Sequence, residues 1–324
     1  MTAKKVQLEE RWRTADRASL AAEVLERLRA GKGFDGLALD RHDGRLDLRG
    51  LTLSAPTPSG PTQQVGRLAV TELKGTTQLR GVHWTELDLS YAALPGLSFF
   101  ESTIQKCRFE GARLDGLGAW ALDVEASSFV GASLRNAVLG SWYKGRENTY
   151  HGVSFAGADL RGLMCSTATF IDCDFSNARL VKVDFDASGF MRCRFAGLLE
   201  EIQFYDRDLR GQKRDRNPME DVDFSQAELR WVEFRNLDLQ KVMLPEDDRH
   251  VRLTHYRCVL EKAISACEAA GQRGLRGYFE SELKWCPPGR EIGIFNKRDL
   301  QEVGDLDFAL DVLARAEHSC ASEQ

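Results

Sequence analysis

A leucine or phenylalanine recurs at nearly every fifth position through the middle of the chain, and this spacing restricts the fold more than any other feature. The blocks of five begin at Thr77, resume at Val153 after a break in phase, and continue from Ile202 and from Val222; these four runs hold 29 blocks. The residue two positions before each centre is small or branched. Both apolar positions of a block therefore point to the same side of an extended strand.

A period of five fits neither regular element of secondary structure. On an α-helix, five residues turn by about 500°, so an apolar stripe would drift by about 140° per block. On a continuous strand the centre would change faces with every block, because five is odd. The centres stay on one side only if the chain turns a corner once per block, and the Gly and polar residues at block ends suit such corners. The spacing therefore predicts a coil of stacked strands.

Several blocks, among them CRFEG, ADLRG, CDFSN and VDFSQ, resemble the A(D/N)LXX consensus of the pentapeptide-repeat family. The resemblance extends over residues 77–246, about half of the chain. It implies a mainly β fold, a right-handed quadrilateral parallel β-helix with four blocks in each coil. The core of such a solenoid is a filled column of side chains, which leaves no interior pocket for a substrate.

Four blocks per coil predict that like residues stack at a spacing of 20. Phe155, Phe175 and Phe195 follow this spacing and should form one column. The other predicted columns pair Phe170 with Phe190, Leu160 with Leu180, and Cys173 with Cys193.

The two ends of the chain lack the repeat and are predicted to form α-helical caps, which a solenoid needs to cover its strand edges. Residues 1–32 form the first cap, with one amphipathic helix over 6–31 that ends at Gly31. Residues 33–76 hold entry coils, centred on Leu48 and Leu53, and a Pro-rich loop.

The C-terminal region, residues 247–324, is predicted to be helical. Its apolar spacing indicates helices over 249–270, 274–285 and 299–317. This region is longer than a cap requires, so we expect room for a partner site or for a homodimer formed through these helices.

Two breaks in the phase of the repeat predict loops ejected from the solenoid, at 140–152 and 212–221. The aromatic residues of the first loop either fold back over the coil or are exposed anchors of the type favoured in binding hot spots. The second loop is either solvated or in contact with a partner. The candidate partner-binding residues are Trp142, Tyr143, Lys144, Arg146, Tyr150 and His151 in the first loop, and Lys213, Arg214 and Arg216 in the second.

Composition and motifs disfavour several classes of function. A net charge of −5 argues against direct binding of nucleic acid. Apolar runs are too short for a membrane span and the N-terminus lacks a signal peptide, so we expect a soluble cytoplasmic protein. The eight cysteines show no tight metal spacing, and those within the repeat suit apolar filling in a reducing compartment. We expect no catalytic site, metal or cofactor, and hence no enzyme.

One branch of the family that the repeat resembles protects DNA gyrase and topoisomerase IV by imitating the width and charge of a DNA duplex. Residues 79–244 carry 24 acidic and 20 basic side chains, so such mimicry would require the acids to gather on one face. The candidate acidic face comprises Asp159, Asp172, Asp174, Asp184 and Asp186, with Asp206 and Asp208 as further members.

The sequence thus leaves two functions open. The first is a non-catalytic scaffold that engages a protein partner through its solenoid faces, ejected loops and helical C-terminal region. The alternative is a DNA mimic that binds a type II topoisomerase and protects it from an inhibitor or toxin.

Overall fold

The computed structural model describes residues 3–58, 61, 63–65, 68–70, 73–206 and 218–322. Contacts divide the chain into two compact units, Met1–Val183 and Asp184–Gln324. No helix in the described part is both long and apolar enough to cross a membrane.

The first unit consists of two N-terminal helices followed by short strands, most of which stack in parallel. The helices are α1 (Ala3–Glu10) and α2 (Ala15–Ala30). The strands are β1 (Arg41–His42), β2 (Arg45–Asp47), β3 (Thr57–Pro58), β4 (Gln63–Val65), β5 (Leu68–Val70), β6 (Leu73–Lys74), β7 (Thr77–Arg80), β8 (His83–Thr85), β9 (Leu87–Asp88), β10 (Leu97–Gln105), β11 (Gly118–Glu125), β12 (Val138–Gly140), β13 (Asn148–His151), β14 (Met164–Ser166), β15 (Ala168–Ile171) and β16 (Leu180–Val181).

The pairing register shows the predicted coil directly. Arg108 pairs in parallel with Asp88 before it and with Ser128 after it, and both steps equal the predicted spacing of 20. The next step, from Ser128 to Ser154, is longer, and the step from Ser154 to Asp174 returns to the regular spacing. One regular coil therefore corresponds to four blocks, and the longer coil is the one that contains the first predicted loop.

Backbone corners recur at every fifth residue, as the period of the repeat predicts. From residue 81 to residue 136 the positions with positive φ are Gly81, Glu86, Tyr91, Gly96, Glu101, Lys106, Gly111, Gly116, Ala121, Ala126, Gly131 and Asn136. Many of these are not glycine, although positive φ is unfavourable for other L-residues. The coil therefore imposes the corner, and side chains without intrinsic preference for it accept the strain. The fold is the predicted parallel β-helix.

Stacked aromatic rings fill the core of the first unit. The ring of Phe155 lies 5.3 Å from that of Phe129 and 5.0 Å from that of Phe175, nearly parallel to both. The predicted Phe155–Phe175 column is therefore confirmed.

The strand register tests only one of the other predicted columns. Leu160 and Leu180 are in register, because the residues that precede them, Asp159 and Arg179, form a parallel bridge. The extension of the phenylalanine column to Phe195 remains a prediction, and so do the pairs Phe170–Phe190 and Cys173–Cys193.

The N-terminal end differs from the predicted single helix. The chain breaks between α1 and α2, where Thr14 is extended and the indole nitrogen of Trp12 donates a 2.7 Å hydrogen bond to the carbonyl of Arg49. Gly31 ends α2 in the left-handed region, as predicted. Strand β3 pairs antiparallel with β6, and β4 pairs antiparallel with β5, so these strands do not follow the parallel pairing of the coil.

The second unit continues with parallel strands and ends in helices. Its strands are β17 (Asp184–Asp186), β18 (Gly189–Met191), β19 (Arg194–Glu200), β20 (Gln203–Tyr205), β21 (Met219–Glu220), β22 (Val222–Arg230), β23 (Glu233–Arg235), β24 (Val242–Met243), β25 (His250–Leu253) and β26 (Gly293–Asn296). Its helices are α3 (Tyr256–Ala269), α4 (Arg273–Lys284), α5 (Lys297–Val303) and α6 (Leu306–Ala321).

A second insertion interrupts these later coils. Val222 pairs with Val242 at the regular spacing of 20, whereas the step from Gln203 to its partner Glu233 is longer. The extra length includes residues 207–217, which lie outside the described part of the chain. The predicted loop at 212–221 extends too far, because Met219–Glu220 is strand β21.

The first and third of the predicted C-terminal helices differ from their predicted bounds. Residues 250–253 form β25, which pairs antiparallel with β26, so the helix predicted from 249 starts only at Tyr256. The helix predicted over 299–317 is divided, because Asp305 caps α6 by accepting a hydrogen bond from the backbone of Phe308.

Ion pairs and a disulfide hold the helical region together. Arg230 of β22 donates to buried Asp299 of α5 at 2.5 Å, which fixes the helices on the coil beneath them. Cys258 of α3 and Cys320 of α6 form a disulfide. The sequence favoured a reducing compartment and did not predict this disulfide. Two cysteines so far apart in sequence give no signal that they pair.

Candidate protein-docking surface

An outer column of large side chains runs along one face of the first unit. Phe100 of β10 pairs in register with Arg80 of β7 on one side and with Trp120 of β11 on the other. The rings of Phe100 and Trp120 stack at 4.7 Å with an interplanar angle of 8°. The guanidinium of Arg80 lies 4.1 Å from the centre of the Phe100 ring, within the range of a cation–π contact.

Gly118, next to this column, leaves the space that the indole of Trp120 occupies. A Cβ atom added at Gly118 would lie 2.3 Å from the far edge of the Trp120 ring. The ring therefore lies across the backbone of Gly118 and covers it. Any side chain at this position would force the indole to move.

The first ejected loop folds onto the same column. Tyr143 and Arg146 close a tight turn through backbone hydrogen bonds of 2.8 and 3.0 Å. The ring of Tyr143 meets that of Phe100 edge-on at 5.5 Å, and its hydroxyl lies 3.5 Å from the Arg80 guanidinium. We refer to Arg80, Phe100, Trp120 and Tyr143 as the aromatic ladder. Its three rings are half-buried, so the loop folds back on the coil and still presents aromatic surface to solvent.

Two ion pairs fasten the loop to the coils beneath it. Lys144 contacts Glu101 at 2.8 Å, and Arg146 contacts Asp123 at 2.6 Å. The hydrogen bond to Glu101 raises the pKa of Lys144 and so favours its charged form. Both cations remain exposed at the rim of the ladder.

One predicted contact residue of the first loop is wrong. Tyr150 is the buried centre of its block, stacked at 4.8 Å on Phe170, and its hydroxyl donates to the carbonyl of Leu139 at 2.7 Å. Burial raises its pKa well above the usual value. His151 is exposed and lies 3.1 Å from Asp172, and Trp142 is half-buried. Residues 148–151 thus belong to the coil as β13.

The candidates of the second loop, Lys213, Arg214 and Arg216, lie outside the described residues, as does Asp208.

A buried amide compensates for the insertion of the first loop. Asn148 is fully buried, and its side chain donates to the carbonyls of Ala119 and Leu139 while accepting from the N–H of Leu122, each at 2.9 Å. Regular blocks have a small residue at this position, so the polar residue there was a signal in the sequence that we did not use.

The acidic residues of the first unit do not form the predicted single face. Asp159 lies in a different row of bridges from Asp174, and Asp172 stands at a corner between faces. Asp159 is held by Arg161 at 2.7 Å and is also within 4 Å of Arg135 and Arg179. Asp184, Asp186 and Asp206 belong to the second unit.

Reactive groups are scarce in the described part of the chain. No group of three or more His, Cys, Asp or Glu side chains there is arranged to hold a metal ion. Cys107 is buried in the core, and desolvation raises its pKa to about 12, which keeps it a thiol. The repeat cysteines Cys165, Cys173 and Cys193 are likewise buried.

A groove lies between α3 and α6 in the helical region. It has a volume of about 500 Å³ and is lined by alanines of both helices together with Phe308 and Val312. The homodimer contact expected through the C-terminal helices remains a prediction.

The repeat matches a known family over part of its length. Residues 151–186 match the family model described as pentapeptide repeats, with eight copies. The coil register of 20 continues the same spacing beyond the matched residues. No curated protein matches the sequence.

Among solved structures, the chain is similar to other proteins of this kind. QnrB1, a plasmid-mediated fluoroquinolone resistance protein, is 14% identical with a TM-score of 0.29, and the match covers 61% of this chain and 89% of QnrB1. HetL from the cyanobacterium Nostoc, involved in heterocyst differentiation regulation, is 22% identical with a TM-score of 0.24, covering 52% and 83%. Rfr23 from the cyanobacterium Cyanothece is 17% identical with a TM-score of 0.17, covering 35% and 83%. Similarities this low carry no weight in the functional argument.

Proposed function

We propose that the chain is a non-catalytic scaffold that binds a protein partner through the aromatic ladder and the loop at its edge. The observation that carries this proposal is the partial exposure of three rings on one face, next to an arginine. Trp, Tyr and Arg are the residues most enriched in the hot spots of protein interfaces.

The ladder is held in place before any partner arrives. Strand pairing fixes Arg80, Phe100 and Trp120, while two backbone hydrogen bonds and two ion pairs fix the loop. A surface that is already ordered loses little conformational entropy on binding. This ordered arrangement favours a docking function for the exposed rings over a purely structural one.

The alternative function, a DNA mimic that binds gyrase or topoisomerase IV, has weaker support. It needs a continuous acidic surface, and the acids of the first unit lie on separate faces, with Asp159 among arginines. A type II topoisomerase therefore remains one candidate partner among others.

The test is an affinity capture from native lysate that compares matched variants by quantitative mass spectrometry. The double variant Phe100→Ala/Trp120→Ala removes two rungs of the ladder. Tyr91→Ala removes a half-buried aromatic ring at a corner of the same unit and serves as the control. Thermal unfolding of all three proteins checks that the coil stays folded.

The proposal predicts a defined protein captured by the parent chain and by Tyr91→Ala, and lost with the double variant. Recovery of gyrase or topoisomerase IV subunits in that pattern would identify the partner class of the alternative. A captured set that is identical for all three folded proteins would rule out the ladder as the docking site.

A further inference from the structure

A second face of the first unit carries an excess of positive charge. It consists of four stacked blocks, residues 112–116, 132–136, 158–162 and 178–182, which we refer to as the arginine face. Between its corners the charged residues are Arg113, Arg135, Arg161 and Arg179 against Asp115 and Asp159, a net of +2 on a chain with a net charge of −5. Such a local excess is unexpected in an acidic protein.

Parallel bridges place these residues in rows. Arg113 bridges Ser133, Ser133 bridges Asp159, and Asp159 bridges Arg179. Since neighbouring coils lie about 4.8 Å apart, the face extends over about 14 Å. The charges are therefore concentrated rather than spread around the coil.

One carboxylate at the centre of this face has more cations around it than it can neutralise. Arg161 donates to both oxygens of Asp159, at 2.8 and 2.7 Å, and this hydrogen bonding lowers the pKa of Asp159. Arg135 and Arg179 approach Asp159 only to 3.9 and 3.8 Å, beyond hydrogen-bonding distance. Arg135 also lies 3.6 Å from Asp115, again too far for a hydrogen bond.

Those two guanidiniums keep their donors for an external acceptor. Neither makes a side-chain hydrogen bond to any residue that the structure describes. Their side chains are 48% and 60% exposed. A guanidinium presents a planar fork of donors that matches a carboxylate in a bidentate manner.

We propose that the arginine face binds an acidic segment of a protein, rich in Asp or Glu. Nucleic acid fits less well, because about 14 Å of duplex carries about eight phosphates and would meet a net of only about two positive charges. The remainder of the chain is acidic and would repel such a polyanion. This proposal stands on a different face from the aromatic ladder and does not depend on it.

The test uses fluorescence anisotropy with a fluorescein-labelled oligoglutamate peptide of about ten residues, at about 50 mM salt to limit screening. Arg179→Glu reverses one charge of the arginine face. Lys106→Glu, at a side chain 63% exposed on another face, makes the same change in net charge and is the matched control. Trp120→Ala tests independence from the ladder.

The parent chain and Trp120→Ala should bind the peptide with similar affinity. Arg179→Glu should raise the Kd by about tenfold or more, and Lys106→Glu by less than about twofold. The proposal is overturned if the parent chain does not bind the peptide or if both charge reversals weaken binding equally. Tighter binding of a DNA duplex of equal charge would also overturn it.

Discussion

The indole of Trp120 lies parallel to the ring of Phe100, 4.7 Å away, on the outside of the coil. The two residues are 20 positions apart in sequence and paired in register. The regularity that stacks phenylalanines in the core therefore also stacks aromatic rings on the surface. The coil converts a repeated sequence position into an ordered patch that a partner can recognise.

The contact of Gly118 with the indole allows a test of the ladder that changes none of its side chains. Gly118→Ala should displace the Trp120 ring, because the new Cβ would overlap it. The tip of a side chain can move aside, so we expect the coil to stay folded while tryptophan emission shifts and partner capture falls. Gly277→Ala, where nothing lies within 4 Å of the added atom, is the control. Unchanged emission and capture would show that the indole does not rest on Gly118.

Removing the buried amide that accompanies the loop should be costly. Asn148→Leu keeps the number of side-chain heavy atoms but leaves the N–H of Leu122 and the carbonyl of Ala119 without the amide, while the carbonyl of Leu139 still accepts from the hydroxyl of Tyr150. Each unsatisfied buried group costs about 1–3 kcal/mol, so we expect a loss of at least about 2 kcal/mol in the free energy of unfolding. Denaturant titration measures this loss. An Asn148→Leu variant as stable as the parent would mean that the amide has no bridging role. The control Thr149→Ala, at the partly exposed next position, should lower the free energy of unfolding by less.

The stacked core gives a third prediction. Phe175 is buried against Phe155 and Phe170. Phe175→Ala should lower the free energy of unfolding by about 3–5 kcal/mol, as truncation of a core phenylalanine usually does. Val130→Ala, at a side chain exposed to solvent, should change it by less than about 1 kcal/mol. Equal stability of the two variants in denaturant would contradict the column.

The docking of the N-terminal helices on the coil should weaken at low pH. Burial alone would raise the pKa of Asp47, but hydrogen bonds from Arg49 and Arg11 hold it well below its ordinary value of 3.8. Because the folded pKa is the lower one, the stabilisation is complete above about pH 4 and is lost as the pH falls through that value towards the folded pKa. The protection of residues 3–30 from hydrogen exchange, taken relative to the intrinsic exchange rate at each pH, should therefore fall below about pH 4. In Asp47→Asn the same residues should exchange fast at neutral pH. Slow exchange in that variant would show that the ion pair does not hold the N-terminal helices.

The sequence predicts the coil well, because the period of five follows from backbone geometry alone. The left-handed corners at residues such as Glu86 and Lys106 arise from that period and not from residue preference. The break at Thr14 and the strand at 250–253 were missed because both depend on contacts with distant residues, such as the carbonyl of Arg49 for Trp12.

The candidate site was predictable only in part. Tyr143 and the loop cations of the candidate site were named from the break in phase, whereas Trp142 stays a prediction. Tyr150 was misplaced because its position as a block centre was overlooked. Arg80, Phe100 and Trp120 were missed, although their spacing of 20 at one outward position was visible in the sequence. Stacking outside the core follows the same rule as stacking inside it, so outward positions need the same inspection.

The central claim, that the aromatic ladder docks a protein, is tested most directly by photo-crosslinking in the native cell. Benzoylphenylalanine replaces Tyr143 in one protein and Tyr91 in another; both tyrosines are half-buried in the first unit. The account predicts one defined crosslinked protein from position 143 and none from position 91. No crosslink from position 143, or the same products from both positions, would contradict it.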